Sequence, residues 1–168
     1  EDLGARRDRD RLEAGWHPTS GLPPLEYIEQ RAVSAAFLEY VTEMSLTDAM
    51  RRNATEKHEA QPYLTARDVH ELLVVEKTKE QMCRYVELPE IHGSKDADGR
   101  PHICTAQYFF SYSWDSPWES IVSALVLHST RQVAMGKQPP YYWIDIFAVN
   151  QHTSLPPWEC RSGLTDCP

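Results

Sequence analysis

The chain has no apolar run near the ~20 residues that a membrane span requires, and no signal-peptide pattern opens it. It lacks a Gly-rich phosphate loop of the G-x-G-x-x-G or Walker type, so any nucleotide would be held by side chains and by the backbone of residues 111–115. It lacks a G-x-S-x-G elbow, and His102, His128 and His152 stand in no fixed relation to Ser111 or Ser113, which sets aside a Ser–His–Asp hydrolase. Basic charge is also short. The formal net charge is −8, so a nucleic-acid backbone is not the expected partner. The small cluster Arg51, Arg52 and Lys57 reads as a solvated helix face. Cys83, Cys104, Cys160 and Cys167 show no CxxC pairing, and a reducing, cytoplasmic compartment is expected. A zinc site from His152, Cys160 and Cys167 with His128 or Cys104 matches no standard spacing, so no metal is expected.

What is present is enough for one ordinary domain with a small extension: 168 residues, 41% of them hydrophobic. The ends at Glu1 and Pro168 suggest a piece of a longer protein. Residues 1–24 read as a polar, Gly/Pro-containing lead-in in which Trp16 is the one residue suited to dock. Residues 25–90 read as an all-helical extension. Leu25, Ile28, Ala32, Val33, Ala36, Phe37, Tyr40, Val41 and Met44 recur at helical steps. Ser45 with Asp48 suggests the cap of a second helix running to Lys57, and Pro62 breaks the run. Thr65 and Asp68 form a capping-box pattern ahead of Val69, Leu72 and Leu73. Thr78 with Gln81 would cap a fourth helix bearing Met82, Tyr85 and Val86, and whether these last two helices are one is open. Pro89 closes the helical half, and the turn formers of residues 92–101 read as a loop.

Residues 102–152 change character. Tyr108-Phe109-Phe110 is a continuous apolar run without alternation, suited to a strand covered on both faces. Ser116-Pro117-Trp118-Glu119 reads as a helix start, with Ser116 as cap, Pro117 at the first position and Glu119 closing the box. An apolar helix follows, with Gly136 as its stop and Pro139-Pro140 forbidding continuation. Residues 141–149, rich in aromatic and β-branched types, read as a second strand. Strand, helix and strand predict a right-handed crossover between parallel strands. Parallel strands end on one edge, and open α/β sheets bind ligands there. The candidate ligand-binding residues are therefore Ser111, Ser113, Trp114, Asp115, Asp145, Asn150 and Gln151. Trp114 would stack on a base or pack beneath the loop. Asp145 would orient a ribose or accept backbone N–H bonds from the loop after the first strand. Because two strands do not make a stable sheet, the helical half is expected to pack on this unit, with Met82, Cys83 and Tyr85 near the first strand. Residues 153–168 read as an irregular Pro- and Cys-containing tail.

YFFSYSWD followed by YYWIDIFAVNQH resembles the first strand, first helix and second strand of Toll/interleukin-1 receptor (TIR)-like domains. The second segment, with Trp143, Ile144, Asp145, Asn150 and Gln151, is also similar to the fungal heterokaryon-incompatibility (HET) domain, and residues 64–88 resemble a helical stretch preceding such segments in protist proteins. The resemblance implies an intracellular, partial flavodoxin-like α/β fold and a role in signalling or defence. It implies either binding of a nucleotide such as NAD, as candidate substrate rather than resident cofactor, or non-catalytic self-association with copies of itself or other TIR-like domains. The hydrolytic members use a glutamate beyond the second strand. Glu119, a helix-cap residue, and Glu159, in the tail, match no such position, so no catalytic residue is assigned.

Overall fold

The computed structural model describes residue 25, residues 27–57 and residues 63–152. Trp16, Pro62, Glu159, Cys160 and Cys167 lie outside the described residues. The chain forms an α/β structure around a mixed four-stranded sheet. Strand β1 is Ala32–Ser34, and helix α1 is Ala35–Tyr40, continued by a π-helical turn Val41–Ser45. Helix α2 is Asp48–Lys57. Helix α3 starts at Ala66–Val69, runs through a π-helical stretch His70–Val75 and ends with Glu76–Thr78. Helix α4 is Pro89–His92, β2 is Ile103–Cys104 and β3 is Tyr108–Phe109. Helix α5 is Trp118–Ala134, β4 is Tyr141–Trp143 and α6 is Asp145–Ala148.

The sheet order is β2-β1-β4-β3. β3 and β4 are parallel, with Tyr108 opposite Tyr142 and Phe109 opposite Trp143, so the expected β–α–β unit is present with α5 as its crossover. β1 runs antiparallel to both β2 and β4. This corrects the all-helical reading of residues 25–90, because residues 32–34 supply an inner strand of the sheet. Tertiary pairing wins over local periodicity there: all three residues are buried, and Ser34 ends the strand by accepting a bond from Phe37 N–H at the start of α1.

Other boundaries also move. The cap of α2 is Thr47, whose Oγ1 accepts from Met50 N–H at 3.3 Å, and not Ser45, which closes the π-helical turn. Thr65 and Asp68 form the expected box, with both groups buried. Thr78 caps no helix; it ends α3, and its hydroxyl donates back to the Val74 carbonyl. Pro89 opens α4 instead of closing the helical half. Ser116 does not cap α5: the Trp118 N–H donates to the Leu64 carbonyl at 2.7 Å, and Glu119 pairs with Arg51. Gly136 stops α5 as expected. At φ +75° it permits the paired bonds Gly136 N–H to Val133 and Lys137 N–H to Gln132. The strand expected over residues 141–149 ends at Trp143, and Asp145 begins α6.

One core joins both halves. Phe37 from α1 meets Phe147 of α6 at 5.5 Å and Tyr85 at 6.4 Å, and Trp118 of α5 meets Phe147 at 6.0 Å. Full burial of each such side chain stabilises by about 1.5–3 kcal/mol. Trp118 also satisfies its indole N–H on Thr42 Oγ1 at 2.9 Å, so its burial leaves no donor stranded. The helical half therefore packs on the β–α–β unit, but Tyr85 packs on α1 and α6 instead of β3, and Met82 is exposed.

Candidate functional site

The rim lies where β3 and β4 end. Phe110 N–H still bonds the Trp143 carbonyl, and the chain then turns, with Ser116 N–H on the Ser113 carbonyl at 2.9 Å. Residues 111–116 are held by α3. The first N–H groups of that helix need acceptors, and those of Ala66 and Arg67 find the carbonyls of Ser116 and Trp114 at 3.1 and 2.8 Å. Arg67 Nε also pairs with Asp115 at 3.0 Å, and its guanidinium lies 5.6 Å from the Trp114 ring centre.

Asp145 is the hub. Its Oδ1 accepts from Tyr112 O–H at 2.5 Å and from Ile146 N–H at 2.8 Å, and its Oδ2 accepts from Trp114 Nε1 at 3.2 Å. A carboxylate offers about four lone-pair sites, and three donors from the chain already approach this one. Asp145 was expected to accept backbone N–H bonds from the loop after the first strand; it accepts instead from the side chains of Tyr112 and Trp114. Burial, and after it the bond to the facing Asp145 carboxylate, holds the Tyr112 phenol protonated far above its ordinary range.

The three residues after Val149 clasp the helical half one by one. Asn150, buried, donates to the Met82 carbonyl at 2.8 Å. Met82 has φ +51°, a left-handed conformation that costs a residue with a side chain about 1–3 kcal/mol unless its surroundings hold it. Gln151 donates to the carbonyls of Asp145 and Val149, and its Oε1 meets His70 Nε2 at 3.1 Å. His152 Nε2 meets Thr78 Oγ1 at 2.7 Å.

Of the seven residues expected at the rim, Trp114, Asp145 and Gln151 come together around His70, whose ring centre lies 4.7 Å from that of Trp114. Ser111 and Ser113 are exposed, and Ser113 Oγ accepts from Asp115 N–H within the turn. Asp115 turns to Arg67, and Asn150 turns to Met82. Sequence reasoning missed His70, Arg67 and Tyr112. Tyr112 stood inside the SYSWD motif and carried a signal, since a tyrosine among serines beside a strand end is a ready donor for the facing acid. His70 and Arg67 carried none, because nothing in their spacing links α3 to residues beyond 110. Burial holds the His70 imidazole below its ordinary 6.5, against the hydrogen bond to Gln151 and the carboxylates of Glu71 and Asp145.

Two concavities lie elsewhere. One of about 190 Å³ is bordered by Glu39, Asp96, Arg100 and Ser129, the other of about 300 Å³ by Ile28, Gln107, Phe109 and Trp143. None of the seven rim residues lines either. Among the described residues no group of three or more His, Cys, Asp or Glu is placed to hold a metal, and no helix is long and apolar enough to cross a membrane.

Fold and rim together define an α/β protein with a mixed sheet and a hydrogen-bonded polar rim. No known family, no curated protein and no solved structure matches the chain.

Proposed function

We propose that the chain is an assembly module of a TIR/HET-like signalling or defence protein, and that it pairs with a second copy of itself through β3. The observation that supports this reading most is the state of that strand. β3 is one of the two outer strands of the described sheet, and Phe109 on it is 70% exposed. Phe109 stacks on Trp143 at 5.0 Å, beside the 300 Å³ depression. The edge is only two residues long, and what it offers a partner is aromatic surface with no Lys or Pro within the strand.

A second reading, a nucleotide such as NAD bound at the rim, draws support from the exposed hydroxyls of Ser111 and Ser113 next to the half-buried Trp114. It must contend with an Asp145 already engaged and an indole already in contact with Arg67 and His70.

One experiment separates the two. Sedimentation velocity over a wide concentration range should show the chain passing from monomer to dimer. Added salt should strengthen the dimer, because two copies of net charge −8 repel. Phe109→Lys should remain monomeric. A wild-type chain that stays monomeric at the highest concentration ends the assembly reading, and binding of added NAD or release of free nicotinamide by that monomer would favour the second.

A further inference from the structure

Unspent polar groups converge on the cavity of about 190 Å³, away from the rim and from β3. Helix α1 brings Ala36 and Glu39 to it, α5 brings Val126 and Ser129, and the loop between α4 and β2 brings Asp96 and Arg100. Hydrogen bonds fix that loop. Asp96 Oδ1 accepts from the N–H groups of Asp98 and Arg100 at 3.0 and 2.9 Å, and Gly99 turns the chain at φ +78°. The Tyr141 hydroxyl donates to the Pro101 carbonyl at 2.7 Å and ties the loop to β4.

The charges at the cavity are not spent on one another. Among the described residues, neither the Arg100 guanidinium nor the Glu39 carboxylate forms an ion pair or a hydrogen bond, and Asp96 Oδ2 accepts none. Burial raises the Tyr141 phenol most and Cys104 next; after them Asp96 raises it and Arg100 lowers it, so both charges reach its hydroxyl at the cavity wall. Ser34 and Ser129, each nine-tenths buried, line the same space. Ser129 Oγ forms no hydrogen bond among the described residues, and Ser34 Oγ accepts from Phe37 N–H but donates to none of them. Buried donors are normally satisfied, so both hydroxyls call for an acceptor inside the cavity. Water meets that need singly, but the guanidinium sharing the cavity favours a carboxylate, which it can bond through two N–H groups. The two carboxylates repel a bare phosphate and suit an ammonium instead. The volume is below the ~300–1,000 Å³ of sites for drug-sized ligands, so the occupant is small and not a nucleotide.

We infer that this cavity binds a small zwitterionic α-amino acid: Arg100 and the hydroxyls of Ser34 and Ser129 take its carboxylate, Glu39 and Asp96 take its ammonium, and Ala36 and Val126 border a short aliphatic side chain. The inference goes beyond the assembly reading and does not depend on it, since no residue of β3 lines the cavity.

The test is an NMR titration of the whole chain with glycine, L-alanine and L-valine. N-acetyl-L-valine and L-valinamide serve as probes that each lack one of the two charges. At least one of the three free amino acids should bind saturably, moving the amide signals of Arg100 and Ser129 most. Each one-charge probe should bind about tenfold or more weakly than L-valine, because a charge-assisted hydrogen bond is lost. Arg100→Gln and Glu39→Gln should each weaken amino-acid binding by about tenfold or more; both positions are exposed, so the fold is kept. The inference is overturned if none of the three gives saturable shifts up to about 10 mM, if either one-charge probe binds as tightly as L-valine, or if both variants bind like wild type.

Discussion

The rim and the β3 edge lie a few residues apart in sequence and follow opposite rules. At the rim, polar groups are spent on one another: Tyr112 and Trp114 on Asp145, Gln151 on His70, Asn150 on Met82. At the edge, Phe109 faces outward, and the Trp143 indole N–H beneath it is buried with no hydrogen-bond partner among the described residues. A polar motif is thus no guarantee of a free binding site, because buried polar atoms are usually consumed by the fold. An apolar strand that looks like core can be the more available surface.

The comparison is broken most directly at Asp145. Asp145→Ala removes the acceptor for the Tyr112 hydroxyl and the Trp114 indole and leaves both half-buried donors without one. Urea unfolding should show a loss of about 3 kcal/mol, and Asp145→Asn, which keeps one acceptor, a smaller loss. A change under about 0.5 kcal/mol in Asp145→Ala would mean that the rim is not held by this carboxylate.

Acid should have a smaller effect. Burial lowers the affinity of His70, His92 and His102 for a proton in the folded chain, whereas the unfolded chain takes protons near 6.5. The unfolded state then binds more protons as pH falls below that value. Stability present above about pH 6.5 is lost on the way down to the folded midpoints. Glu87 acts in the opposite sense, since burial raises its value and it gains from protonation. Thermal melts should therefore fall between about pH 7.5 and pH 5.5, with a shallower slope in His70→Gln. A slope unchanged in that variant would remove His70 from the acid response.

Smallest is the effect of the edge on folding. Phe109→Lys should change stability by no more than about 0.5 kcal/mol, because the ring is mostly exposed, while abolishing association. Loss of stability and association together would show that Phe109 belongs to the core and would erase the contrast.

Some of this was legible residue by residue. Thr65 and Asp68 announced the start of α3, and Gly136 announced the end of α5. The apolar run at residues 108–110 and the aromatic run from Tyr141 announced parallel partners. The errors have equally local causes. Ala32-Val33-Ser34 sat inside a helical periodicity that a three-residue strand is too short to interrupt. Ile146, Phe147, Ala148 and Val149 are all buried, and a run buried on every side looks the same as strand or helix. The cap of α5 was misassigned because its partner is a backbone carbonyl, Leu64, which no side-chain pattern reveals.

By itself the sequence determined the elements whose ends are written in local chemistry: caps, stops, and the strand–helix–strand order that makes β3 and β4 parallel. Only the tertiary structure decided that residues 32–34 enter the sheet, that His70 comes against Trp114, and that the carboxylate of Asp145 is occupied. The reason is range. A cap is settled within one turn of chain, whereas a hydrogen bond between residues 33 or 81 positions apart exists only after the core has brought their elements together.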